Sequence, residues 1–466
     1  MKRALLALGW VASLVPAVAD PLHGPNVNPS NFAVLVEWEK FTDQQAGVIG
    51  DNLSAETWSV YREALSWKDE EPKGAIAQQL KRWGNAFDGN GVLESSEGEE
   101  EYVGVPRGAL SDYVVEMAIP LFPNRMEGPE GDLRGASLVE DRWQMGEEAN
   151  RHHTEAKQAF RALAKALVEA GLADARLRLG WELTGDWFPW GIDPKGSNAG
   201  TAEEFKDCWK FVYLTMEEVN PRFTWVWNCT LGFDHFDPSK AFPEYPDLNF
   251  ADPADQKDKI LAEFMSVDLY DADGECYYRS DEDIEIERES MVSYWNLHPE
   301  KQKRAFLALQ KKVFEGRGHL AKEGESRTYG LRFFKEFADS KRLPLAVSEW
   351  GPWANFVLQR NSEDGTKLNS IGYGGDDNPY FIAGAIDWFR ENEVAYACLF
   401  EFYNGGEGDT VDHTILPHYW NSSREGRPLM SLYPSESPFY PIKDQIHPRA
   451  AKAYLESLSE AGGESD

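Results

Sequence analysis

Cysteine is scarce: Cys208, Cys229, Cys276 and Cys398 are the only four in 466 residues. No CxxC pair occurs, which removes the usual zinc-binding and dithiol redox signatures. A chain of this size also needs no disulfide to fold. If one bridge forms, Cys229 with Cys276 is the expected pair, since both fall just past predicted strands, with Cys208 and Cys398 as buried thiols. Cationic residues are few as well, 47 Lys and Arg against 79 Asp and Glu, for a formal charge of −32. Such a field repels nucleic acid, anionic membranes and acidic polysaccharides at low salt. Past the first residues no stretch approaches the roughly 20 apolar residues of a membrane span. A Gly-rich phosphate loop, a Ser-His-Asp set and a metal cage are missing too, so neither cofactor nor metal is expected.

What is present begins at the N-terminus. Lys2 and Arg3 precede an apolar run from Ala4 to Val15, and Ala17-Val18-Ala19 offers the small-x-small pattern a signal peptidase accepts. Residues 1–19 are therefore expected to be an export signal, and 20–466 one domain in a secreted or periplasmic protein. An uncleaved anchor is the alternative on the same residues. With 42% hydrophobic residues the chain can bury a large core, and α/β barrels routinely fill this length as one domain. A monomer is the default.

Short β-branched or aromatic runs alternate with helical patterns, the arrangement that builds parallel βα units. Strands are predicted at Phe32 to Val36, Tyr113 to Leu121, Arg176 to Glu182, Phe223 to Asn228, Met265 to Tyr270, Leu343 to Glu349 and Ala395 to Phe402. One more, the second of a (β/α)8 barrel, is expected between Phe41 and Glu101. Helices are predicted over Thr154 to Ala170, stopped by Gly171, after a Thr201/Glu204 capping box, over Leu331 to Ala338, and from Pro379 to Glu391. Asp271 to Ser326 and Gly405 to Tyr440 exceed ordinary connections and are expected at the surface around the site. The acidic run Glu94 to Glu101 and the tail from Glu460 are expected as solvated loops.

Two stretches share one grammar. Arg178-Leu-Gly-Trp-Glu182-Leu-Thr-Gly-Asp-Trp187-Phe-Pro-Trp190 is a strand ending in a glutamate and opening into an aromatic loop. Leu343-Pro-Leu-Ala-Val-Ser-Glu349-Trp350-Gly-Pro-Trp353 repeats it: apolar strand, glutamate, tryptophan. In a barrel, residues at the C-terminal ends of strands converge on one mouth. Two glutamates there are what double-displacement glycoside hydrolysis requires, one attacking the anomeric carbon and one protonating the leaving oxygen. Trp187, Trp190, Trp350 and Trp353 could stack on the apolar faces of sugar rings.

Arg178 to Trp190, the strand end Ser266-Val-Asp-Leu-Tyr270 and Ser348-Glu349-Trp350-Gly351 resemble the family 26 glycoside hydrolases, clan A barrels best known as β-mannanases. The Phe223 to Asn228 strand and the turn Gly374-Gly-Asp-Asp-Asn-Pro379 are similar to those of its bacterial relatives. The resemblance spans most of the chain after about residue 110. It implies Glu182 as acid/base, Glu349 as nucleophile, Tyr270 as the phenol orienting the nucleophile, Trp187 and Trp190 as subsite walls, and Arg178 as the cation that keeps a carboxylate ionised. Well-studied mannanases carry His where this chain has Trp181. An indole only donates a hydrogen bond, so the departure bears on which sugar is bound.

Simpler readings stand beside these. Asp268 and Asp271 suit turns, and Tyr270 suits packing at a strand end. Glu401 is a rival carboxylate on the last strand, with Glu37 and Glu39 on the first. His413 is a candidate substrate contact from the last loop. The expected activity is a retaining hydrolase on a neutral β-linked polysaccharide or oligosaccharide. The alternatives are a barrel that binds carbohydrate without cleaving it, or a polysaccharide lyase.

Overall fold

Eight parallel strands close into a barrel: β1 (Leu22–Asn26), β2 (Val48–Asn52), β3 (Val114–Ile119), β4 (Arg176–Leu179), β5 (Thr224–Thr230), β6 (Phe264–Tyr270), β7 (Leu345–Gly351) and β8 (Tyr396–Phe400). Each pairs with its sequence neighbours, and β1 closes the ring by pairing with β8 along its length and with β2 through Asn26 and Gly50. This computed structural model describes residues 21–26, 35, 38–39, 41–53, 58–87, 92–96, 99–104, 112–123, 143–150, 152–185, 187–192, 200–245, 260–280, 282–283, 285–286, 294–353, 374–400, 403–405, 410–412, 415 and 447–461.

The expected (β/α)8 architecture is the observed one, with two corrections. The barrel does not begin at Phe32 to Val36: Leu35 is helical, the rest of that span lies outside the described residues, and β1 is the earlier Leu22–Asn26. Its sequence Leu-His-Gly-Pro-Asn has no strand pattern; backbone pairing to β8 makes it a strand. The second strand, Val48–Asn52, falls inside the expected interval. The acidic run is also not a loop. Val92–Ser96 and Glu99–Gly104 form an antiparallel hairpin, with Glu94 opposite Glu101, held by main-chain pairing that a hydrophobic pattern cannot reveal.

Between the strands run α1 (Gly74–Phe87), α2 (His153–Glu169), α3 (Ala202–Glu217), α4 (Pro299–Leu309), α5 (Leu331–Lys341) and α6 (Pro379–Glu391), followed by α7 (Pro448–Ala461). Local chemistry sets their ends. Thr201 Oγ1 accepts the Glu204 N–H and the Glu204 carboxylate takes the Thr201 N–H, a reciprocal cap on α3. Gly171, at φ +90°, ends α2 and lets the Leu172 N–H return to the Leu167 carbonyl. Asn378 caps α6 by accepting from the N–H groups of Tyr380 and Phe381.

The strands are buried on both faces, apolar toward the helices and at the barrel floor, and polar inside the barrel toward its mouth. On the outer face Trp225 meets Trp209 and Tyr213, Trp227 meets Phe334 and Phe337, and Trp350 meets Phe381, Phe389 and Tyr454. On the inner face a small separate core of Val48, Ala346, Tyr396 and Cys398, flanked by Val114 and Phe264, plugs the barrel floor. Arg176 lies over the rings of Phe264 and Tyr396, 4.2 and 4.5 Å from their centroids.

All four cysteines are free, so the Cys229–Cys276 bridge is not formed. Cys229 is buried in β5 beside Val267 of β6, whereas Cys276 lines a recess with Tyr278 and Trp295. Among the described residues no helix is long and apolar enough to cross a membrane.

Candidate active site

Alternation along β7 starts with Ala346 in the barrel floor and continues with Ser348, whose Oγ donates to Glu116 of β3 at 3.0 Å. Continued strictly, it would turn Trp350 inward and Glu349 outward. Instead the register slips: Val267 faces Val347, but the next residue, Asp268, faces Glu349. This bulge turns Glu349 into the barrel directly after Ser348 and sends Trp350 to the helices.

Three donors then meet the Glu349 carboxylate. Oε1 accepts from Asn52 Nδ2 at 2.9 Å and from the Arg178 guanidinium at 2.5 Å, while Oε2 accepts from the Tyr270 hydroxyl at 2.7 Å. Arg178 commits both terminal nitrogens to neighbours. One terminal nitrogen spans both oxygens of Asp268 at 2.9 and 3.0 Å, the other reaches Asn52 Oδ1 at 2.7 Å as well as Glu349, and Nε lies 3.4 Å from Glu116. Burial disfavours the guanidinium charge, but Asp268, Glu349 and Glu116 outweigh it and hold Arg178 protonated. Burial and the surrounding carboxylates push the Tyr270 phenol well above its ordinary range, so it remains a donor.

Asn52 is held in turn. Its N–H donates to Asp51, its carbonyl accepts from Gln79, and Asp51 takes the Trp83 indole N–H.

Glu182 sits differently. β4 ends at Leu179, and Gly180 turns the chain at φ +56°. Glu182 itself has φ +50°, a left-handed conformation that is costly for a side chain of this kind. Its peptide N–H donates to Asn228 Oδ1 at 2.7 Å, and its carboxyl accepts the Trp187 indole N–H at 2.6 Å. Burial first, and the charge of Glu349 second, push this carboxyl up to about 8, against the opposing pull of Trp187 and Arg178. One mouth thus holds two glutamates in different surroundings: Glu182 desolvated, with its carboxyl pushed up to about 8, and Glu349 wrapped in donors.

The structure brings Glu182, Glu349, Arg178, Tyr270 and Trp187 together. Trp187 is 59% exposed and stands over Glu182. Trp353 is half-buried and meets Tyr270 edge-on at 5.5 Å. Two expected sugar contacts are corrected. Trp350 is fully buried behind the barrel wall, because the bulge leaves its side chain on the helix side. Trp190 is 1% exposed: it stacks on Phe188, tilts against Trp181 and donates to the Trp181 carbonyl. Trp181 belongs to this same three-ring support. His413, Glu401 and Glu37 lie outside the described residues. Glu39 accepts from the Ala46 N–H and the Tyr113 hydroxyl, a structural role. Asp268 pairs with Arg178, and Asp271 accepts from Tyr277 and Asn378, tying the loop after β6 to the turn before α6.

Sequence reasoning missed Asn52, Asn228, Glu116 and Ser348. Asn228 left one trace, an amide at the end of an otherwise apolar strand.

No family model matches the chain, and no curated protein matches it. Among solved structures it is similar to the Cellulomonas fimi endo-beta-1,4-mannanase double mutant, at 13% identity and a TM-score of 0.44 over 84% of this chain and 67% of that one. It is similar to the Bacillus subtilis mannanase BCman at 11% identity and a TM-score of 0.41, covering 82% and 80% of the two chains. Thermotoga maritima Cel5A, solved in complex with mannotriose, is similar at 11% identity and a TM-score of 0.36 over 83% and 91%.

Proposed function

We propose that this protein is a retaining glycoside hydrolase, a single exported catalytic domain that cleaves a neutral β-linked polysaccharide of the mannan, glucan or xylan type. The observation that carries the reading is the opposed pair: a raised, protonated Glu182 and a donor-clamped Glu349 at one barrel mouth.

Glu182 protonates the glycosidic oxygen as Glu349 attacks the anomeric carbon, which breaks the glycosidic bond and forms a glycosyl ester on Glu349. Glu182, now a carboxylate, takes a proton from water. The resulting oxygen nucleophile displaces the ester, returning both glutamates to their starting states with net retention. This chemistry uses a carboxyl separation of about 5 to 5.5 Å. Exposed Trp187 offers an apolar platform beside the acid for a pyranose ring. The charge of −32 favours an uncharged polymer.

The test is reducing-sugar release by the mature protein on β-mannans, β-glucans and β-xylans, beside Glu182→Gln and Glu349→Ala. Release from one polymer, lost in both variants, supports the reading and names the substrate. Binding without release replaces it with a carbohydrate-binding barrel, and an ultraviolet-absorbing unsaturated product replaces it with a lyase.

A further inference from the structure

We infer that Asn228 is a positioning residue for the general acid: its side-chain amide holds the Glu182 backbone in the left-handed conformation that aims the carboxyl at the leaving-group oxygen. The inference rests on the proposed hydrolase reading for its kinetic consequence, but not for its geometry.

Asn228 lies on β5 with no exposed surface, so it cannot touch a substrate. Every hydrogen-bonding direction its position uses is committed. Oδ1 accepts the Glu182 N–H at 2.7 Å, and Nδ2 donates to Ser266 Oγ and to Asp268 Oδ1, each at 2.9 Å. The two donor contacts fix which end of the amide faces Glu182. β4 has already ended at Leu179, so the barrel ladder offers the Glu182 N–H no strand carbonyl. The amide oxygen supplies that missing acceptor, and a non-glycine residue at φ +50° persists only where its surroundings over-determine it.

The same amide ties the acid to the nucleophile. From Glu182 the path runs through Asn228 to Asp268, through the bidentate pair to Arg178, and on to Glu349. Each link is a buried hydrogen bond, so the relative placement of the two carboxyls is carried by side chains from β4, β5, β6 and β7.

The experiment compares kcat/KM on two substrates, an activated dinitrophenyl glycoside that needs no protonation to leave and an unactivated oligosaccharide that does. Asn228→Ala is expected to lower kcat/KM on the oligosaccharide by at least ~30-fold, part of the ~10²- to 10⁴-fold worth of general acid catalysis. On the dinitrophenyl glycoside it is expected to stay within about threefold of the parent. Equal losses on both substrates would show a merely structural residue and overturn the inference. Should Asn228→Ala fail to fold, Asn228→Asp, protonated against the Asp268 carboxylate, keeps both the acceptor for the Glu182 N–H and a donor to Asp268. Its ratio between the two substrates is expected to match the parent, and a ratio shifted as in Glu182→Gln overturns the inference.

If the parent protein cleaves no glycan, the hydrolase reading fails, and the inference is read from Glu182 alone. Carboxyl NMR of ¹³C-glutamate-labelled protein, with Glu182→Gln identifying the signal, follows its titration. Asn228→Ala is expected to bring that titration down by about one unit or more, as the freed backbone lets the carboxyl reach water. An unchanged titration overturns it.

Discussion

Ser348 and Glu349 are neighbours on one strand, yet both side chains turn into the barrel, Ser348 to Glu116 and Glu349 to Arg178. A regular strand forbids this; the bulge between them permits it. The placement of Glu349, the proposed nucleophile, therefore depends on one irregularity in β7. Glu349→Ala should lower kcat/KM by at least ~10³-fold and also lower the melting temperature, because Asn52, Arg178 and Tyr270 lose a buried acceptor. Retention of full activity, measured on the preferred polymer, would remove Glu349 from the reaction.

The raised Glu182 carboxyl sets an alkaline limit. The proposed acid must carry its proton, so kcat/KM on unactivated substrates should fall as pH rises through about 8. The same shift bears on stability. A carboxyl whose folded pKa exceeds its unfolded value contributes stability that is fully present below the unfolded pKa and lost as pH rises through the folded one. Asp271, pushed up to about 8 by burial against the opposing hydrogen bonds of Tyr277 and Asn378, adds to the trend. Glu182→Gln should thus raise the melting temperature relative to the parent at pH 9 more than at pH 5, as differential scanning calorimetry would read.

Two tryptophans named by one motif grammar should behave oppositely. Trp350→Ala empties a packed site against Phe381, Phe389 and Tyr454 and should cost about 3–5 kcal/mol in denaturant titrations. Trp187→Ala removes an exposed ring and should raise KM with little loss of stability. Trp187→Phe keeps an aromatic face but loses the N–H that lowers the Glu182 pKa, so its alkaline limb should move up.

Tyr270→Phe removes the donor that Glu349 Oε2 has among the described residues and leaves both Oε1 donors in place. A loss of about 10- to 100-fold in kcat with KM nearly constant is expected, since in the proposed reaction the phenol sets the attack geometry. An equal rise in KM would instead make Tyr270 a substrate-binding group.

Arg178→Met would strand Asp268, Glu349 and Glu116 together in a buried site. Removing one partner of buried ion pairs costs about 3–5 kcal/mol, so urea titration should show that loss, together with loss of turnover. Stability equal to the parent would mean the carboxylates take up protons at little cost.

Much of this protein is written in local pattern. Period-two and period-3.6 hydrophobicity marks six of the eight strands and the helices between them, because each element must bury an apolar face. The Thr201/Glu204 box, Gly171 and Asn378-Pro379 mark helix ends through contacts only a few residues apart. Glu182 and Glu349 stand out as charges closing apolar strands. Other features arise only when distant segments meet. Leu22–Asn26 is a strand because β8 pairs with it. Asn52, Asn228 and Glu116 join the site because four strands converge on Arg178 and Asp268. The side of the wall taken by Trp350 hangs on a bulge whose register is set by β6, more than seventy residues away in the chain. A sequence displays what each residue prefers among its neighbours. Which buried charge finds which partner is settled by closing the barrel, since only then do desolvation and pairing act on the same atoms.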